Sequence, residues 1–259
     1  MSEVTQKSNL NQVSDWLQVW NDQSALRERA ETRAIDEVTP ILKQYLTQSG
    51  QILEGGCGPG EWVCYLRARG YSVIGLDFCT SVLQESIKQE PTLPFVAGDV
   101  TKLPIKDASL DAILSFGVVE HFEGGPYAAL WECNRVLKPG GLLFVSVPHM
   151  NLLRRTPFLE RIRKSALLRK MLKLRQEFWQ YKFTTQQVQG FLQATAFSTI
   201  SLFPLYHEGG LAFDLFFLKN KIRPWEATNS GKALTRALKA ISPWITNHMI
   251  LAVAVKRGE

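Results

Sequence analysis

The run Ile52-Leu53-Glu54-Gly55-Gly56-Cys57-Gly58-Pro59-Gly60-Glu61-Trp62 sets three glycines at alternate positions between an apolar stretch and a helix-like one. Glycine has no Cβ, so Gly56, Gly58 and Gly60 let the main chain turn tightly and let a ligand approach it closely. The spacing G-x-G-x-G departs from the dinucleotide fingerprint G-x-G-x-x-G, and no G-x-x-x-x-G-K-[ST] phosphate loop is present. Asp77 closes the next apolar run, 17 residues after Gly60, where a carboxylate accepts hydrogen bonds from both hydroxyls of a ribose. Asp99 and Val100 follow the third run and suit the edge of an adenine, while Ser115 ends the fourth. Beyond it stand Glu120 and His121, with His121 the best-placed general base. The other role open to His121 is to cap a helix or lie beside the ligand without moving a proton. His149 is a second candidate base, whereas His207 and His248 are assigned to packing or solvation. No His, Asp and Glu cluster has metal-ligand spacing, so no metal site is expected.

These residues must be held by elements, and the apolar periodicity supplies them. β-rich runs at 51–55, 72–76, 94–97, 110–115 and 142–147 alternate with helical stretches at 62–69, 81–89 and 127–137, the pattern of a parallel sheet flanked by helices. All the polar candidates then converge at the carboxyl edge of that sheet, where open α/β folds bind ligands. Pro139-Gly140-Gly141 reads as a stop after the third of these helices. Before the core, Trp16, Leu17, Trp20, Ile35, Val38, Ile41, Leu42 and Tyr45 recur at helical steps and predict two helices. After it, a helix at 184–195 and strands at 199–206 and 249–255 are expected, with an insertion at 208–247 between the two strands. The expected organisation is a helical cap over 1–48, a ligand-binding core over 49–150, a basic insertion over 151–183 and the rest of the sheet over 184–259.

Five ordered segments resemble one family. They are Glu54 to Gly60, Asp77, Gly98-Asp99-Val100-Thr101-Lys102-Leu103-Pro104, Ser115 to Phe122 and Arg135-Val136-Leu137-Lys138-Pro139-Gly140-Gly141. Together they are similar to the class I S-adenosylmethionine-dependent methyltransferases of the small-molecule type. The resemblance implies a Rossmann-like α/β fold with a seven-stranded, mostly parallel sheet whose last strand is antiparallel. It also implies S-adenosyl-L-methionine as cofactor. Glu54, Gly56, Cys57, Gly58 and Gly60 would surround its methionine part, Asp77 the ribose, Asp99 with Val100 the adenine, and Ser115 the sulfonium end, with Phe78 a further cofactor-binding residue. Glu54 stands where aspartate is commoner in the family, and a carboxylate is retained. The implied reaction is in-line methyl transfer to a small molecule, with oxygen the expected acceptor atom. The alternatives are carbon or nitrogen methylation of a small or lipid-like metabolite, or cofactor binding without turnover.

The remaining chain bears on the acceptor. Of 259 residues, 45% are apolar and 21% charged, ordinary globular composition. The longest apolar runs fall far short of the ~20 residues a bilayer span needs. The amino terminus is polar without a secretory pattern, and a cytoplasmic location is expected. Four cysteines without a C-x-x-C pair read as buried thiols. Residues 151–182 carry ten basic side chains against Glu160 and Glu177, a net charge of +8 in a chain of +6. That basic amphipathic stretch suits a lid, a phosphate or peripheral membrane contact. The acceptor is expected to be a small molecule of amphiphilic or glycosidic character. Nucleic acid is disfavoured, because residues 115–118 read Ser-Phe-Gly-Val in place of the D/N/S-P-P-aromatic loop of base-amine methylation.

Overall fold

A computed structural model describes residue 20 and residues 24–157, 180–208, 210–214 and 219–258. Seven strands form one sheet in the order β3-β2-β1-β4-β5-β7-β6, mostly parallel with antiparallel last strands. They are β1 (Gln51–Gly55), β2 (Ser72–Asp77), β3 (Phe95–Ala97), β4 (Leu110–Phe116), β5 (Leu137–Pro148), β6 (Phe197–Leu205) and β7 (Met249–Lys256). Helices α1 (Leu26–Glu31) and α2 (Thr39–Tyr45) precede the sheet, joined by a 3-10 turn at Thr32–Ile35. Then come α3 (Glu61–Arg67), α4 (Thr80–Gln89), α5 (Tyr127–Val136), α6 (Thr185–Ala194), α7 (Gly210–Asp214), α8 (Lys219–Glu226) and α9 (Asn229–Ile241).

The chain separates into two compact units. One holds the described residues through Phe116, Ala128–Phe144 and the end from Lys256; the other holds Gly117–Tyr127 and the described part of 145–255. In the first unit, register brings the strand ends level. Glu54 lies opposite Gly75 on β2 and Leu114 on β4, and Asp77 opposite Ala97 on β3, all in parallel pairs. Ile52, Leu53, Val73, Leu76, Ile113 and Leu114 are almost fully buried, as strands covered on both faces require. The second unit is cored by Val145, Val147 and Ile250 to Ala254, and by Val188, Phe191 and Leu192 of α6. A capping box starts α6: Gln187 N–H donates to Thr184 Oγ1, and Thr184 N–H donates to the Gln187 side chain.

Two features differ from the periodicity. The strand expected at 142–147 runs from Leu137 to Pro148, so Pro139-Gly140-Gly141 ends the helix without forming a separate turn. Gly140 takes φ 76° inside the strand span, a conformation that a residue with a Cβ disfavours. Inside the 208–247 insertion the described residues include three helices. The centre of the basic stretch, 158–179, and the helical stripe before Trp20 lie outside the described residues.

Candidate active site

The glycine loop is closed by backbone hydrogen bonds from Gly56 and Cys57 N–H to Leu76 O, at 2.7 and 3.0 Å, and from Gly60 N–H to Cys57 O at 2.9 Å. Gly56, Gly58 and Gly60 all have positive φ. A Cβ on Gly60 would meet the Phe95 ring at 2.3 Å, and one on Gly58 would meet the Trp20 indole at 2.9 Å. The loop therefore has aromatic walls at both glycines and no room for a side chain at either.

Asp77 is buried and fixes this loop. Its two carboxylate oxygens accept from Gly58 N–H and Cys79 N–H, both at 2.8 Å. Each oxygen keeps a further lone pair, the capacity a ribose needs. Phe78, the next residue, is 43% exposed, unusual for an aromatic at a sheet edge. Asp99 is exposed and accepts from Thr101 N–H and Oγ1 at 2.8 Å, which forms its turn, and Val100 packs on Gly55. Ser115 is buried at the end of β4, and the Cys57 thiol is held well above its usual range by burial.

Glu54 is the least ordinary group in this unit. Its carboxyl is buried, receives the Val63 backbone N–H, and leaves Oε2 without a hydrogen-bond partner. Burial raises its pKa to about 8 against the opposing pull of Arg33. Arg33 stands 5.4 Å over the Trp62 ring, pairs with Glu61 and with Asp36, and leaves its own Nε buried and unbonded. An unpaired acid oxygen and an unpaired guanidinium N–H, electrostatically coupled beside a glycine-rich loop, match the two ends of an amino-acid zwitterion. Arg33 was not legible as a site residue, because it lies on the 3-10 turn outside every motif.

A family profile described as "Methyltransferase domain" matches residues 53–145, which contain all ten of these cofactor-site candidates. Residues 53–145 carry a methyltransferase domain of the S-adenosylmethionine-dependent kind. A Mycolicibacterium smegmatis protein named as a probable S-adenosylmethionine-dependent methyltransferase is 34% identical over 99 residues, 38% of this chain and 38% of that protein. A demethylmenaquinone methyltransferase of Beutenbergia cavernae is 38% identical over 97 residues, 37% of this chain and 40% of its own length. The matches thus span about two-fifths of these relatives. Among solved structures, a SAM-dependent methyltransferase from Methanosarcina mazei shares the fold at TM-score 0.59 and 20% identity, covering 85% of this chain and 98% of that one. The glycine loop and its neighbours fit the cofactor of such a domain, S-adenosylmethionine: Gly58 and Gly60 leave no room for a Cβ, and Glu54 Oε2 and, from outside the matched residues, Arg33 Nε lack partners.

In the other unit, the chain leaves β4 through Gly117 into a 3-10 turn, Val119–His121. Glu120 is 1% exposed, its Oε2 has no hydrogen-bond partner, and burial raises its pKa to about 8. His121 is half-buried at the end of the same turn. The segment at 181–183 clamps this turn: Tyr181 N–H donates to Glu120 O and its hydroxyl to Glu123 O, both at 2.8 Å. Sequence alone ranks His121 above Glu120, whereas burial singles out the carboxyl as the group that titrates near neutrality.

His149 is buried, with Nδ1 2.8 Å from Asn247 Oδ1. Asn247 Nδ2 donates to Met249 O, which orients the amide and places the His149 proton on Nδ1. Burial lowers the His149 pKa, so the ring is neutral. Nearby, Arg154 pairs with buried Asp214 and donates to His248 Nδ1 at 2.8 Å. Burial, then Arg154 and Lys182, lower the His248 pKa to about 4, which leaves it a neutral acceptor. Asn151 joins this cluster by donating to Asp214 at 2.7 Å.

Proposed function

We propose that the chain is a methyltransferase that moves a methyl group from S-adenosylmethionine to an oxygen of a small-molecule acceptor. The observation that carries the reading is the buried Glu54 carboxyl with its unpartnered Oε2 beside the Gly56–Gly60 loop. The bound cofactor supplies an electrophilic methyl group on a sulfonium. Glu54 and Arg33 hold the amino and carboxylate ends of its methionine part. Asp77, already anchored to Gly58 and Cys79, accepts from the ribose, and exposed Phe78 offers a ring face to the adenine. Asp99 and Val100 border the adenine, and Ser115 borders the sulfonium end.

Methyl displacement needs aligned reactants more than an elaborate catalytic set, since correct positioning removes roughly 7–11 kcal/mol of barrier. An oxygen acceptor must still lose its proton. Glu120, with a pKa near 8 set by burial, is matched to that task close to neutrality, and His121 is the neighbouring relay. A second reading, methylation at carbon of a lipid-like acceptor, is favoured by the relative named for demethylmenaquinone. The test is incubation with methyl-labelled S-adenosylmethionine and fractionated host extract, followed by identification of the labelled product. Label on an oxygen supports the first reading and label on carbon the second. Cofactor binding with no labelled product in any fraction overturns both.

A further inference from the structure

Helix α9 is turned the wrong way round for a helix that only packs on its own domain. Its thirteen residues span about 20 Å at 1.5 Å per residue. The buried positions are Gly231 and Thr235, small or polar. Leu234, Ala237 and Ile241 recur at three- and four-residue steps on a different face and are exposed, Ile241 to 76%. The orientation is imposed by backbone contact. A Cβ on Gly231 would come within 2.3 Å of Trp225 O, so α9 seats against the end of α8 through its glycine. Thr228 caps the helix by accepting from Gly231 N–H.

Charge completes the pattern. From 219 to 239 the chain has Lys219, Lys221, Arg223, Lys232, Arg236 and Lys239 against the single acid Glu226, a net +5. Lys232, Arg236 and Lys239 are exposed, and α9 itself carries no acid. Glu226 is committed to the Leu211 N–H at 3.0 Å. Lys232 and Arg236, with Arg223 and Glu208, also line a cavity of about 250 Å³ beside the helix.

We propose that α9 is a peripheral membrane anchor, its Leu234, Ala237 and Ile241 face entering the interface of an anionic bilayer while Lys232, Arg236 and Lys239 engage the headgroups. Burying exposed leucine and isoleucine supplies the apolar drive, and each cation near the surface strengthens binding about fivefold (about 1 kcal/mol). The anchor is independent of the methyl-transfer reading and belongs to the 208–247 insertion, a different segment of the sequence from 151–182. No helix among the described residues is long and apolar enough to cross a membrane, so contact through α9 is interfacial.

The full chain is co-sedimented with vesicles of phosphatidylcholine alone and of phosphatidylcholine with phosphatidylserine. Binding should require phosphatidylserine and weaken as salt is raised. The double variant Leu234→Ser/Ile241→Ser should lower affinity at least tenfold, and Lys232→Gln/Arg236→Gln/Lys239→Gln roughly a hundredfold, from three fivefold losses. Because all five side chains are exposed, thermal melts should match the wild type. Equal affinity of these variants for the vesicles overturns the proposal, as does no binding by the wild type. Loss of binding only when Arg161, Lys164, Lys170 and Lys173 are neutralised also overturns it. So does a wild-type dimer by sedimentation velocity that Ile241→Ser dissolves, since a second copy would then cover the face.

Discussion

Replacing Glu54 by Gln removes a charge while keeping the shape, and the expected consequence is specific to pH. With a pKa of about 8, the carboxyl in the free protein is about 0.9 protonated at pH 7. Pairing with the cofactor's ammonium requires the ionised form, so binding at pH 7 should release about 0.9 proton from this site. Ionising the group at pH 7 costs about 1.4 kcal/mol, and removing one partner of a desolvated charge pair costs about 3–5 kcal/mol. The net loss in Glu54→Gln at pH 7 is then roughly 2–4 kcal/mol, about 30- to 1,000-fold in Kd. The penalty should grow by about another tenfold as pH rises from 7 past 8, because the wild type no longer bears the ionisation cost. Isothermal titration calorimetry in buffers of different ionisation enthalpy reads both quantities. Wild-type affinity that is flat between pH 6 and 8.5, with the same proton count in wild type and Glu54→Gln, would refute the ammonium assignment.

Four further outcomes are expected. If Glu120 takes the acceptor's proton, kcat/KM should rise with pH through a midpoint of about 8 and level off only about one unit above it, and Glu120→Gln should lower kcat and flatten the profile while cofactor affinity holds; an unchanged profile removes Glu120 as base. The same raised pKa has a stability consequence: the folded state holds the proton more tightly, so stability is full below the unfolded value of 4.5 and declines as pH rises through about 8, a decline that urea melts should show smaller in Glu120→Gln. Gly60→Ala combines a φ of 80° with a Cβ at 2.3 Å from Phe95, and urea melts should report a loss of about 1–3 kcal/mol together with weaker cofactor binding; neutral behaviour would mean that the Phe95 ring yields freely. Arg154→Met strands the buried Asp214 carboxylate, so a loss of about 3–5 kcal/mol is expected, largely restored in Arg154→Met/Asp214→Asn; a loss below about 1 kcal/mol would show the ion pair to be dispensable.

The readable parts of this protein are those where chemistry is local. Gly56, Gly58 and Gly60 are visible because a tight turn restricts residue type, and their positive φ values bear out that restriction. Asp77 is visible from its place at a strand end, although its first duty, accepting from Gly58 and Cys79, depends on how the loop folds back. Arg33 is not visible, since no local pattern distinguishes it from the neighbouring arginines of α1 and the 3-10 turn. The His149, Asn151, Arg154, Asp214 and Asn247 cluster gathers residues up to 98 positions apart, and only packing assembles it. Pro139-Gly140-Gly141 marks the helix end in the sequence, but that these residues already lie inside a strand is not visible, because glycine after proline serves a turn and a strand irregularity equally well.

Sequence by itself determined the alternation of strands and helices, the glycine turn after β1 and the carboxylates at successive strand ends, since these follow from periodicity, missing Cβ atoms and spacing along one chain. Tertiary structure alone decided that Glu54 and Glu120 are walled off from water and titrate near 8, and that α9 seats on Gly231 with Leu234 and Ile241 facing out. Desolvation and the choice of helix face are properties of what surrounds a residue, and those neighbours come from distant parts of the chain.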